Sequence, residues 1–155
     1  MSKPVEGDVS NQTEDKRVCG GNDRSCLEKT AMLYLDALLA ADDSKVPLAA
    51  HVRRTHTLAI PRSGKEDRVV HNEAEIRATI RQEKLLFRHG LRVFVDEPQR
   101  QVIAFWRTGT SYPSAQWVTC INRIHVTDGF IDEIEVTSIP RESAPENPAA
   151  PWPEA

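Results

Sequence analysis

The chain reads as an α+β protein, because its hydrophobic period is helical near the front and two-residue toward the back. Leu27, Ala31, Tyr34, Leu35, Leu38 and Leu39 recur at i, i+4, i+7, i+8, i+11 and i+12, the stripe of an amphipathic helix. From Leu91 onward apolar residues alternate in four segments punctuated by Glu97-Pro98-Gln99-Arg100 and Asp128-Gly129, the pattern of antiparallel hairpins. Helices segregated ahead of bunched hairpins predict a curved antiparallel sheet wrapped around the helices, open at one concave end.

The first helix has two candidate N-caps, Asp23 and Ser25, whose side-chain oxygens suit the free amides of a first turn. A short turn or helix is expected over 44–49, with Pro47 at an early position where its missing N–H costs little. A first strand follows over 52–60. Asn72 with Glu75 three residues on forms a capping box for another helix, whose apolar face is Ile76, Ile80 and Phe87. The remaining strands are expected over 91–96, 101–108, 115–126 and 130–139.

Proline marks the far boundary. Five of the ten prolines fall in the last 16 residues, so 140–155 reads as an extended tail, with Trp152 as a residue that could cover a pocket mouth. Residues 1–22 are poor in apolar side chains and read as a flexible lead-in, leaving 23–139 as the single folded domain.

Composition excludes several classes. Twenty Lys and Arg against 23 Asp and Glu give a net charge of −3, neither a basic nucleic-acid coat nor an acidic disordered chain. No apolar run is longer than that at 102–106, which is far short of the roughly 20 residues of a membrane span. The first 20 residues lack the apolar core of a signal peptide, so a cytoplasmic protein is expected. Of three cysteines, Cys19 and Cys26 flank the segment CGGNDRSC and Cys120 lies in a strand pattern; no zinc-ligand set exists, and a reducing compartment predicts free thiols.

The residues Tyr34, Ala37, Leu38, Ala40 and Asp42 read Y-x-x-A-L-x-A-x-D, as in the first helix of ketosteroid isomerases. Residues 42–55 are similar to SnoaL-like proteins, and Glu75-Ile76-Arg77 and Asp128-Gly129-Phe130-Ile131 add supporting matches. Over roughly 26–139 the chain thus resembles the nuclear transport factor 2-like superfamily, which includes ketosteroid isomerases, scytalone dehydratases, limonene epoxide hydrolases and SnoaL-type cyclases. The resemblance implies a cone-shaped cystatin-like roll and a pocket between the concave sheet face and the helices. It also implies a small apolar organic ligand, no cofactor and no metal, and homodimerisation through the outer sheet face.

In the isomerases a tyrosine of the first helix donates to the developing enolate oxygen, and Tyr34 holds that position. The family's carboxylate base near the end of the first strand has no counterpart here, since the strand reads His51-Val52-Arg53-Arg54-Thr55-His56-Thr57. His56 is the nearest group able to accept a proton, and Arg54, on the same strand face, would keep it neutral and basic. The family's second donor, a protonated aspartate on a late strand, is also missing. That strand carries Trp117, Thr119, Ile121, Arg123 and His125 on one face and Val118, Cys120, Asn122 and Ile124 on the other, and alternation alone does not choose the pocket side. Candidate site residues are therefore Tyr34, His56 and His125 for catalysis, with Arg54, Trp106, Trp117, Thr119 and Asn122 for substrate binding.

Three functions compete. The first is a cofactor-independent isomerase, cyclase, dehydratase or hydrolase in which Tyr34 polarises an oxygen and His56 moves a proton, each worth about 10²–10⁴-fold. The second is a non-catalytic module binding a small ligand or a protein. The third, an anionic partner on the basic row Arg77, Arg81, Lys84 and Arg88, competes with a solvated face holding i, i+4 pairs such as Glu73 with Arg77, and no stacking aromatics accompany the row. No nucleic-acid or membrane partner is expected.

Overall fold

A computed structural model describes residues 16–59, 66–83, 85–110 and 116–141. Helix α1 (Arg24–Ala40) starts at Asp23, whose side chain accepts the Cys26 amide at 3.3 Å. Its stripe buries Leu27, Ala31, Tyr34, Leu35 and Leu38 almost completely, while Leu39 stands at the rim. Of the turn or helix expected over 44–49, a turn forms at Ser44-Lys45. There Val46 N donates to Asp43 O at 3.1 Å and Asp42 Oδ1 accepts the Ser44 amide at 2.9 Å, a local geometry that competes with helix. Strand β1 (Leu48–Ala59) then begins four residues ahead of the expected start.

Strand β2 (Glu66–His71), which the sequence does not announce, pairs antiparallel with β1. It is an edge strand with Val69 and Val70 exposed, so no buried face imposes an alternating pattern. Helix α2 (Glu73–Gln82) has the expected reciprocal capping box, with Glu75 N donating to Asn72 Oδ1 (3.0 Å) and Asn72 N donating to Glu75 Oε1 (3.2 Å). It buries Ile76 and Ile80 and stops at Gln82, so Phe87 is not on its face. The Phe87 ring lies over Gly109, where a Cβ would come within 2.8 Å of it.

Strands β3 (His89–Asp96), β4 (Gln101–Thr110), β5 (Gln116–Thr127) and β6 (Phe130–Arg141) form the expected meander. The six strands lie in the order β2-β1-β6-β5-β4-β3. The sheet is mixed rather than wholly antiparallel, because β1 runs parallel to β6 while every other pair is antiparallel. Strand β6 carries on through Pro140, which the sequence assigns to the tail; β1 leaves β6 after Ser138, so the proline lies where the sheet has lost its neighbour on that side. The remainder of the tail and its Trp152 lie outside the described residues.

One face of the sheet meets the helices. Val102, Ala104 and Trp106 of β4, Val118, Cys120, Ile124 and Val126 of β5, and Ile134 and Val136 of β6 pack there with the α1 stripe. Each fully buried Ile or Leu contributes about 1.5–3 kcal/mol.

The lead-in is anchored as far as it is described. Cys19 and Cys26 form a disulfide, with Cα atoms 5.7 Å apart, in place of the expected free thiols. Asn22 and Asp128 exchange two hydrogen bonds (2.9 and 2.8 Å), and the Arg17 guanidinium sits 4.8 Å from the Phe130 ring centre. Gly129 (φ +83°) lies directly against the Cys19 carbonyl, a position with no room for a side chain. The start of α1 and the β5–β6 turn thus hold 17–22 between them, which brings the two cysteines together. No helix among the described residues is long and apolar enough to cross a membrane.

Candidate functional site

A cavity of about 590 Å³ lies between the two helices and the inner faces of β1, β4, β5 and β6. Leu38, Leu58, Leu85, Trp106, Val118 and Val136 give it apolar walls, and Tyr34, Arg54, His56, Glu83, Asn122 and Ser138 bring polar atoms to it. A more open groove of about 820 Å³ outside α1 is lined by surface charges such as Asp23, Arg24, Glu28 and Lys29. The enclosed cavity is the candidate site because its polar groups converge within apolar walls.

Tyr34 is in the middle of the α1 stripe and is fully buried. The Arg54 guanidinium is close enough to donate weakly to the Tyr34 oxygen, but no hydrogen bond of ordinary geometry forms among the described residues, and the hydroxyl proton has no acceptor there. Burial pushes its pKa up, against the nearby Arg54 charge, so it stays a protonated donor.

Arg54 is 3% exposed on the inner face of β1. The β1–β2 register sets it opposite His71, whose Nδ1 is 3.3 Å from its Nη1. Because a guanidinium only donates, that His71 nitrogen is the bare, accepting one. Arg54 Nη2 lies 3.6 Å from Glu83 Oε1, and Arg54 Nε has no partner among the described residues.

His56 lies two residues further along the same face, with Nε2 2.8 Å from Ser138 Oγ. Burial first, and then the charges of Arg54 and His71, pull its pKa down to about 4. The expected effect of Arg54 is therefore present, but burial is the larger cause, and the ring is neutral and only weakly basic near pH 7.

Asn122 is 1% exposed, and its Oδ1 accepts the Trp106 indole N–H at 2.6 Å. That bond fixes the amide's orientation and leaves Nδ2 without a partner among the described residues. Cys120 shares the wall, but burial pushes its thiol up to about 12, too high for a thiolate nucleophile near neutral pH.

The structure therefore brings together Tyr34, Arg54, His56, Trp106 and Asn122. It does not bring in Trp117, Thr119 or His125, which project from the opposite face of β5. Trp117 packs on Phe87 with ring centres 4.8 Å apart, and His125 Nδ1 meets Asp132 Oδ1 at 2.5 Å on the outer face. The helices cover the face of Val118, Cys120 and Asn122, and that tertiary fact settles what alternation left open.

Glu83 is the site residue that sequence reasoning passed over. It is the residue just past α2, with extended backbone (φ −67°, ψ 112°), and its amide bonds to Thr79 O at 2.8 Å. Burial raises its pKa while Arg54 lowers it. Its only sequence signal was a carboxylate at the end of an amphipathic helix, which a solvated helix end explains equally well.

The three arginines of the basic row are tied to acids, and Lys84 lies outside the described residues. Arg77 reaches Glu73 (3.3 Å) and Asp43 (3.4 Å), Arg81 reaches Asp43 (2.9 Å) and Arg88 reaches Asp36 (2.9 Å). Among the described residues no group of three or more His, Cys, Asp or Glu side chains is placed to hold a metal ion.

No protein-family model matches the chain, and no curated protein matches it either. Solved structures do. A protein of unknown function with a cystatin-like fold from Methylobium petroleophilum PM1 is 16% identical, covering 83% of this chain and 84% of its own, at a TM-score of 0.56. An NTF-2 like protein of unknown function from Burkholderia xenovorans LB400 is 12% identical over 81% of this chain and 92% of its own, also at 0.56. AusH from Aspergillus nidulans is 16% identical over 83% of this chain and 92% of its own, at 0.52. With two helices held against one face of a six-stranded sheet, the chain has the nuclear transport factor 2-like fold, the cystatin-like α+β cone.

Proposed function

We propose that the protein is a cofactor-independent acid–base enzyme acting on a small, largely apolar carbonyl compound, as an isomerase or cyclase moving a proton within its substrate. One observation carries this reading. Tyr34, Arg54 and Asn122 line one cavity, and each has a buried polar atom (Oη, Nε and Nδ2) without a hydrogen-bond partner of ordinary geometry among the described residues. All three can donate. A buried donor left unpaired costs about 1–3 kcal/mol, so a ligand that brings acceptor oxygens to these groups offsets that cost. The apolar walls supply the rest of the affinity, and a phenol that stays protonated is suited to an oxygen gaining negative charge.

The test is a thermal-shift screen of apolar ketones, lactones and diketones beside the matching hydrocarbons. A ligand at about 100 times its Kd stabilises the fold by roughly 2.7 kcal/mol. Ketones are expected to shift the transition and hydrocarbons of the same skeleton to do so much less; equal shifts would remove the donor argument. The second reading, a ligand-binding module without turnover, is favoured by the weak basicity of His56. It predicts ketone binding with no chemical change in the bound ketone. The resemblance also suggests a homodimer through the outer face, where Phe94 is 55% exposed; monomer alone in sedimentation at micromolar concentration would oppose it.

A further inference from the structure

We propose that Glu83, and not His56, takes and returns the proton in this cavity, with Arg54 as the residue that positions it. The inference rests on the acid–base reading above and names its proton carrier. Among the described residues that line the cavity, the ionisable groups are Tyr34, Arg54, His56, Glu83 and Cys120, and Glu83 is the sole carboxylate. A base near neutral pH must be largely unprotonated yet still basic. Tyr34 and Cys120 fail by holding their protons, and Arg54 is permanently charged. His56 fails in the opposite sense, and its Nε2 is occupied by Ser138.

Geometry selects Glu83 positively. Its backbone leaves the helical region at the cap, so the carboxylate extends from the end of α2 to the cavity wall beside Thr79, Gln82 and Leu85. Its approach to Arg54 is 3.6 Å, longer than the bidentate hydrogen-bonded pairing that would occupy both oxygens. Arg54 is itself fixed on its far side by His71 at 3.3 Å. One carboxylate oxygen is thereby left for a substrate while the cation holds the group in place. The charged and titratable groups facing Glu83 are Arg54 directly, and Tyr34, Cys120 and His71 around that guanidinium.

The step balances without a co-reactant. A C–H bond beside the carbonyl breaks, its proton goes to a Glu83 oxygen, its electron pair forms the C=C bond of an enolate, and the carbonyl π pair moves to the oxygen, which the Tyr34 hydroxyl meets. Return of the proton from Glu83 to that carbon or a conjugated one restores the carboxylate, with nothing oxidised or reduced.

The experiment follows exchange of the α-protons of 2-tetralone in D2O by NMR, using the full chain. Wild type is expected to accelerate exchange, and Glu83→Gln to lose about 10²–10⁴ of that rate while still being stabilised by the ketone in thermal shift. Glu83→Asp should keep part of the rate and guards against a variant that merely misfolds. Arg54→Lys should move the acid limb of the pH–rate profile to higher pH. Exchange at the wild-type rate in Glu83→Gln would overturn the proposal and leave the acid–base reading standing. A wild type that binds the ketone without exchanging it, or binds none, would overturn both. The carboxyl ¹³C titration of Glu83 in the free protein is a check independent of any ligand: a midpoint at or below that of ordinary glutamates would also overturn it.

Discussion

Strand β5 carries polar side chains on both faces, and the structure treats the two sets in opposite ways. On the outer face Arg123 is shared among Glu135 (2.8 Å), Glu133 (3.0 Å) and Gln101 (3.3 Å), and His125 is held by Asp132, which also accepts from Thr127 at 2.8 Å. On the inner face Asn122 leaves its amide nitrogen unpaired, in the same cavity as the unpaired Tyr34 hydroxyl and Arg54 Nε. Arg123, His125 and Thr127 on the solvent side are thus paired, although water could serve them. The buried ones, which water serves least, are not. Folded proteins keep few such groups, and three residues of one cavity lining carry them, as the proposed function requires. Unsatisfied hydrogen bonding, rather than polarity in the pattern, marks the site.

The largest effect that sharpens this contrast is in packing. Ile124 is fully buried on the inner face, and Ile121 is only half-buried on the outer one. Ile124→Ala is expected to cost about 3–4 kcal/mol in urea denaturation and Ile121→Ala about 1 kcal/mol. Equal losses would mean that the two faces do not differ in burial as described.

A second effect comes from pH and again belongs to the inner face. The folded-state pKa of His56, about 4, lies below its ordinary 6.5, so between those values the unfolded chain binds the extra proton. Stability therefore falls as pH drops from 6.5 toward 4, and the full loss is about 2 kcal/mol once discounted for the ring's partial burial. His71 is shifted in the same direction, while Glu83, raised by burial, works against them at low pH. The His56 share is the difference between wild type and His56→Gln in urea unfolding at pH 7 and pH 5. Parallel curves for the two proteins would show that His56 titrates normally.

Much of this architecture is legible in the chain. The α1 stripe, the Asn72–Glu75 box and the turns at 97–100 and 128–129 are local signals, and local geometry fulfils each one. What escapes is decided at a distance. Strand β2 exists because β1 offers it an edge, and the parallel β1–β6 pairing joins segments some 80 residues apart, as in Arg54 with Ile134. The site divides in the same manner. Tyr34, Arg54 and His56 follow from helix and strand periodicity, whereas Glu83 enters only because the end of α2 packs over β1. His125 lies on the face away from the cavity, and strand alternation yields two sets of residues without saying which one the helices cover.

A third and smaller effect tests the outer network. Arg123 and its two glutamates are each partly exposed, at 29%, 48% and 51%, so their attraction is screened by solvent. Arg123→Ala should cost no more than about 1 kcal/mol, shrinking further as salt is raised from 50 to 500 mM. A loss of about 3 kcal/mol that salt does not touch would make the outer face part of the structural core and erase the contrast drawn from β5.

The smallest expected change in stability is at the residue with the largest expected role. Tyr34→Phe removes one oxygen from a fully buried site where that oxygen makes no hydrogen bond of ordinary geometry among the described residues, only a weak contact from Arg54. The ring keeps its packing, and the desolvation penalty of an unpaired hydroxyl, about 1–3 kcal/mol, disappears, offset by the small void left behind. The free protein should therefore be unchanged or slightly more stable in urea. The same variant should lose most of the thermal shift that ketones give wild type, because the donor it lacks is one the ligand needs. A structural tyrosine would behave in the reverse way, with a destabilised free protein and an unaltered ligand shift. The two measurements on this one variant therefore separate a hydroxyl kept for folding from one kept for a ligand.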